Sequence, residues 1–151
     1  MGAILTDCLI SEQQNLAKPI EIAVINGAGI RAQFPAGEIS QADVFTVLPF
    51  GNSIVNWEWT GVQVKALLER VAAGGDDVKK IVSAPQFSGV AFTYNTSLPV
   101  GGRVISAKIG ESDLVLTKIY QISSIDFVAV SGGDGIVSPG LSPAPPVIGK
   151  R

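Results

Sequence analysis

Apolar residues recur along this chain in two rhythms, one helical and one alternating, and together they lay out most of its elements. Residues 2–12 carry Ile4, Leu5, Cys8 and Leu9 at helical spacing, which predicts an opening helix with that stripe turned inward. Residues 20–25 are apolar at nearly every position, as in a strand covered on both faces. Ser40 and Asp43 stand at capping-box spacing ahead of Val44, Phe45, Val47 and Leu48, and Pro49 ends the short helix they predict. Residues 54–59 alternate, with Val55, Trp57 and Trp59 on one side and Asn56 and Glu58 on the other, the mark of a half-buried strand.

Thr60 and Gln63 repeat the capping box and introduce Val64, Leu67, Leu68, Val71 and Ala72, the clearest amphipathic stripe in the chain, which Gly74-Gly75 terminates. Three further strands are predicted: one around Val90, Phe92 and Tyr94, one around Ile105, Ala107 and Ile109, and one over residues 119–124. Helices concentrate in the first half and strands in the second. That order predicts an α+β single domain, a mixed sheet with packed helices, rather than repeated βαβ units. Residues 1–137 are expected to form the domain. Four of the nine prolines fall between Pro139 and Pro146, so residues 138–151 are expected to be an extended, weakly ordered tail.

Composition narrows the chemistry. The 11 basic and 13 acidic residues give a net charge of -2 with no run of one sign, so the footprint of a nucleic-acid binder is missing. Hydrophobic residues make up 46% of the chain but never in the roughly 20-residue runs of a membrane span. Residues 1–5 show neither the basic region nor the cleavage site of a signal peptide, and Asn95-Thr96-Ser97 is a formal glycosylation acceptor. Cys8 is the single cysteine. It rules out an internal disulfide, and its place on the apolar stripe predicts core packing.

No histidine is present. This excludes Ser-His-Asp and Cys-His nucleophiles and any histidine-containing metal site. No serine has a lysine three residues on, and the single Gly-Lys pair, Gly149-Lys150, lies at the end of the chain, so a Walker loop is absent too. Catalytic residues and metal ligands are therefore not expected in this chain.

What remains is a set of glycine-bearing turns, each with one distinctive side chain. Asn26-Gly27-Ala28-Gly29-Ile30-Arg31 places an arginine on a tight turn after the buried strand. Gly27, Gly29 and Ala32 also satisfy the loose dinucleotide fingerprint. Phe34-Pro35-Ala36-Gly37 interrupts the helix that fingerprint requires, and Pro49-Phe50-Gly51-Asn52 stands where its acidic residue should be. Phe50 and Asn52 lie on that second turn, Phe127 follows the last strand, and Asp134 sits within Gly132-Gly133-Asp134-Gly135. Two aromatic rings to stack on a base, an arginine for phosphate, and amide and carboxylate groups for hydroxyls form a nucleotide-binding kit.

In this order and spacing, Asn-Gly-x-Gly-Ile-Arg, Leu-Pro-Phe-Gly-Asn, Thr-Gly before a helix, and Phe followed by Gly-Gly-Asp-Gly resemble the C-terminal domain of the 5′-nucleotidase family across roughly residues 2–137. The opening helix with Thr6-Asp7 is similar to the one that starts that domain, and Tyr94 and Tyr120 fall where its later strands carry tyrosines. The resemblance implies the substrate-binding half of a two-domain hydrolase. Its other half would be an N-terminal metallophosphoesterase domain of the same polypeptide, holding two divalent metal ions, and this half alone would be inactive. A rotation between the two would carry bound nucleotide to the metals.

By the same resemblance, Phe50 and Phe127 would sandwich the base and Arg31 would hold phosphate and the ribose side. Asn26 and Asn52 would hydrogen-bond near base and ribose, and Asp134 would accept from ribose hydroxyls. The implied ligand is a nucleoside monophosphate or nucleoside, and the implied setting is extracellular, periplasmic or cell-surface. The alternative is a stand-alone nucleoside-binding module, or a structural relative, without a catalytic partner.

Overall fold

A computed structural model describes residues 1–74 and 83–137 and the backbone of 147–148. Gly75 of the predicted helix stop, residues 138–146 of the tail and Gly149-Lys150 lie outside the described residues. The elements run α1 (Gly2–Ser11), β1 (Ile22–Ile25), α2 (Gln41–Val47), β2 (Ile54–Thr60), α3 (Gly61–Ala73), β3 (Gln86–Ser88), β4 (Val90–Tyr94), β5 (Val104–Ile109), β6 (Ser112–Asp113), β7 (Ile119–Ile125), α4 (Asp126–Ser131) and β8 (Val147–Ile148).

The principal sheet has the order β3-β1-β7-β2-β8. It is mixed, because β1 runs parallel to β7 while β3 pairs antiparallel with β1 and β2 pairs antiparallel with β7 and β8. A second sheet, β4-β5-β6, is antiparallel throughout. The fold is thus the α+β arrangement with a mixed sheet that the order of elements predicts. Pairing of Val147 and Ile148 with β2 makes them an outer strand of the principal sheet, within the stretch read as a loose tail.

Alternation along β2 decides which layer lies where. Val55, Trp57 and Trp59 are buried in the main core with Val64, Leu67 and Leu68 of α3. Asn56 points the other way and donates from Nδ2 to Gln13 Oε1 at 2.5 Å, just past α1. The sheet is therefore sandwiched between α3 and α1, which explains why all four residues of β1 are buried. Both capping boxes form. Ser40 accepts from the Asp43 N–H and Thr60 from the Gln63 N–H, with the Asp43 and Gln63 side chains returning the bond.

The small sheet is fastened to α3 by one buried pair of residues. Glu69 accepts from the backbone N–H groups of Arg103 at 2.8 Å and Val104 at 3.1 Å. The Arg103 guanidinium donates to the Ala72 and Ala73 carbonyls, each at 3.1 Å, satisfying the end of α3.

One expectation is corrected in α1. Cys8 is exposed, not packed in the core. The helix docks through its small, polar face instead. Gly2 and Thr6 are buried, a Cβ on Gly2 would overlap the Gln86 side chain, and Thr6 Oγ1 lies 2.7 Å from Ser88 Oγ on β3. Gln13 extends this seam by donating to Ser123 Oγ at 2.8 Å. Positions two and six share a face by helical geometry and make the close contact with β3, while Leu5, Cys8 and Leu9 line an open cavity beside it that Ile25, Ile54 and Ile125 of the sheet also wall.

Candidate functional site

The site is assembled where β1, the turn after α2 and the turn after α4 meet. Asn26 ends β1 and is only 4% exposed. Gly27–Gly29 then form a single 3₁₀ turn, with the Ile30 N–H donating to the Gly27 carbonyl at 3.0 Å. Glycine is required at position 27 by close approach, because a Cβ there would lie 2.4 Å from the Ala84 carbonyl oxygen. The Arg31 N–H donates to the Val47 carbonyl at 2.9 Å, tying this turn to the end of α2. Its guanidinium folds back to the Ala28 carbonyl at 3.1 Å and remains exposed.

Phe50 and Asn52 occupy the turn that α2 leads into. Phe127, expected on a loop, is the second residue of the short helix α4. Asp126 clamps these two segments together. Its Oδ2 accepts from the Ser53 N–H at 3.1 Å, its own N–H donates to the Ser53 carbonyl at 2.9 Å, and its Oδ1 accepts from the Phe127 N–H at 2.8 Å.

Four residues separate Phe127 from Gly132, and α4 absorbs them in a helical turn that Gly132 closes at φ 78°. The Gly133 N–H returns to the Phe127 carbonyl at 3.0 Å. Asp134 follows with φ 53°, a left-handed conformation that aspartate tolerates better than most side chains. Arg70 of α3 holds the next residue by donating to the Gly135 carbonyl at 2.5 Å.

Polar contacts fix the carboxylate of Asp134. Asn26 Nδ2 donates to its Oδ2 at 2.8 Å and Ser83 Oγ to the same oxygen at 3.1 Å, while Ser83 Oγ accepts from the Ala28 N–H at 2.9 Å. Among the described residues both bonds end on Oδ2, which leaves Oδ1 able to accept from a ligand. Asn26 Oδ1 is buried and likewise meets no donor. A Cβ at position 29 would press to 3.0 Å from that oxygen, so Gly29 leaves it uncrowded.

All six residues singled out in the sequence, Asn26, Arg31, Phe50, Asn52, Phe127 and Asp134, line one cavity of about 250 Å³, together with Ala28 and Gly29. Phe50 is 54% and Phe127 40% exposed, although phenylalanine normally partitions inward. Two half-exposed rings, one guanidinium and one carboxylate on a shared wall suit a ligand with a flat apolar part, hydroxyls and negative charge. A neighbouring cavity of about 280 Å³ shares Asn26, Gly29, Phe50 and Asn52 and is otherwise almost wholly apolar. No group of three His, Cys, Asp or Glu able to hold a metal ion occurs among the described residues, and no helix there is long and apolar enough to cross a membrane.

Asp126, Ser83 and Arg70 are positioning residues that the sequence did not single out. Asp126 alone carried a signal, an acidic residue directly before Phe127 at a strand end, suited to the first turn of a helix. Ser83 and Arg70 act on residues 51 and 65 positions away, and nothing local marks them.

Comparison with known proteins bears on this geometry. The family profile described as "5'-nucleotidase, C-terminal domain" matches residues 1–139. The chain is 33% identical over 141 residues to the trifunctional nucleotide phosphoesterase protein YfkN of Bacillus subtilis, covering 89% of this chain and 9% of that protein. It is 35% identical over 115 residues to protein UshA of Escherichia coli, covering 76% of this chain and 19% of that one. The 5'-nucleotidase precursor of Thermus thermophilus superposes with a TM-score of 0.76 at 30% identity, over 96% of this chain and 28% of its own. The chain thus spans less than a fifth of the length of these two curated relatives.

Proposed function

Because this chain belongs to the 5'-nucleotidase C-terminal domain family, we propose that it is the nucleotide-holding domain of a 5'-nucleotidase-type phosphohydrolase, acting on nucleoside 5'-monophosphates. The observation that carries the reading is the convergence of six side chains, drawn from positions 26 to 134, on one cavity. Phe50 and Phe127 stack on the base, Arg31 engages phosphate and the ribose side, Asn26 and Asn52 bond near base and ribose, and Asp134 Oδ1 accepts from a ribose hydroxyl.

Phosphoester hydrolysis in this reading belongs to a separate metallophosphoesterase domain of the same polypeptide. Two divalent ions held there would supply polarisation of the phosphate and activation of water, while the present domain supplies position and orientation. The donor set agrees with that division, since the chain has no histidine and its described carboxylates are not clustered. The setting that goes with the reading is extracellular, periplasmic or cell-surface, and fractionation of the source cells tests it.

Titration calorimetry of the 151-residue chain with adenosine and AMP tests the binding role. Saturable binding, weakened about fivefold to a hundredfold by Phe50→Ala on the scale of ring-base stacking, is the expected result. No binding of either ligand contradicts it. The chain alone should release no phosphate from AMP with any added divalent metal, and turnover that disappears with Arg31→Ala would overturn the division of labour.

A further inference from the structure

We propose that the apolar cavity beside the candidate site is a second binding pocket, which takes an apolar alkyl or aryl arm carried on an exocyclic nitrogen of the bound base; this rests on the nucleoside reading above. The cavity measures about 280 Å³ and is walled by Leu5, Leu9, Ile25, Ile30, Ile54 and Ile125, with Cys8 also on its lining. A closed cavity of about 150 Å³ lined by Leu, Ile and Phe is enough to hold benzene. Room for a benzyl- or isopentenyl-sized group is therefore available.

Its polar groups identify the occupant. Apart from the Cys8 thiol they are Asn26 and Asn52, and both also line the nucleoside cavity, as do Phe50 and Gly29. One ligand can thus reach both compartments across a common wall. A sugar or phosphate placed in the second compartment would find almost nothing to replace its lost water contacts. An alkyl or aryl arm loses nothing there.

The buried Asn26 Oδ1 adds a directional requirement. Its amide nitrogen is committed to Asp134 at 2.8 Å, so the free oxygen can only accept, and no described residue donates to it. An N-alkylated exocyclic amine retains one N–H to meet that oxygen while its arm enters the apolar compartment. The same pocket accounts for the stripe of α1. Leu5, Cys8 and Leu9 wall this compartment opposite Ile25, Ile54 and Ile125.

Calorimetry of the 151-residue chain with adenosine, N6-benzyladenosine and N6-isopentenyladenosine tests the proposal, with alkylation of Cys8 by iodoacetamide as a second readout, since it is the single cysteine. The substituted nucleosides should bind about tenfold more tightly than adenosine, in keeping with the apolar surface they bury, and should slow Cys8 alkylation where adenosine does not. Cys8→Phe, which fills the pocket from an exposed helix position, should erase the gain and leave adenosine affinity unchanged. Equal affinities with Cys8 unprotected overturn the pocket while adenosine binding upholds the nucleoside reading. A gain in affinity without protection of wild-type Cys8 also overturns it, whether or not Cys8→Phe folds. Failure of all three ligands to bind overturns both readings together.

Discussion

Asn26 and Asp134, 108 residues apart, meet through a 2.8 Å hydrogen bond from Nδ2 to Oδ2, joining the end of β1 to the turn after α4. The bond fixes both side chains. It leaves the buried asparagine oxygen as an acceptor that no described residue meets, and it leaves the second aspartate oxygen to a ligand. Asp134→Asn keeps a residue that tolerates φ 53° but removes the charge. Nucleoside affinity should fall roughly tenfold to a hundredfold, the range for a hydrogen bond to a charged group of about 1.5–3 kcal/mol, with the melting temperature nearly unchanged. Calorimetry and thermal denaturation on the same samples check both halves of this statement.

Asp126 makes a different kind of prediction, because it touches backbone and not the cavity. Its carboxylate accepts from the Ser53 and Phe127 N–H groups, so Asp126→Ala releases two donors and uncouples the segments bearing Phe50 and Phe127. A stability loss of about 0.5–1.5 kcal/mol is expected from the lost hydrogen bonds, together with weaker binding. Asp126→Asn, which keeps one acceptor, should recover part of each. Denaturant titration in parallel with ligand binding reads this, and a variant that binds as well as the wild type would show that the clamp does not position the rings.

The cap of α2 gives a pH dependence with a definite sign. The Asp43 carboxyl is held below its usual 3.8, first by the Ser40 side-chain hydrogen bond and then by the Ser40 backbone N–H. A group whose folded value is depressed contributes stability that is complete above its unfolded value and is lost as pH falls through the folded one. The cap is thus intact at neutral pH and fails only below 3.8. An NMR titration should find the Asp43 midpoint under that value and moving up toward it in Ser40→Ala. A midpoint unmoved by Ser40→Ala would contradict the capping assignment.

The sequence made visible whatever was fixed by near neighbours. Capping at Ser40 and Thr60 is settled within four residues, and both boxes are found as expected. The alternation of residues 54–59 is a property of the strand itself, and it sorts Trp57 and Trp59 into the core. Four short elements, β3, β6, α4 and β8, are not marked in the sequence, and β3 and α4 show most clearly how such elements depend on distant partners. β3 is three residues long and exists by pairing with β1. Helix α4 contains Val128 and Val130, whose branched side chains suit a strand, and it turns helical between the Ser53 clamp and Gly132.

Cys8 marks the other boundary of what was legible. The apolar stripe on α1 was read correctly as a stripe, but periodicity says only that a face is apolar, not what covers it. Here Gly2 and Thr6 win the contact with the sheet because their small side chains permit close approach to Gln86 and Ser88. The six site residues were legible by another route. Their order and spacing matched a family pattern, whereas no local rule would have brought Arg31 and Phe127 to one cavity.

A crystal structure of the chain with AMP tests the central claim most directly. The account predicts the adenine ring between Phe50 and Phe127, a ribose hydroxyl on Asp134 Oδ1 and the phosphate beside Arg31. Density for the nucleotide elsewhere on the surface, with the cavity between those two rings empty, would contradict it.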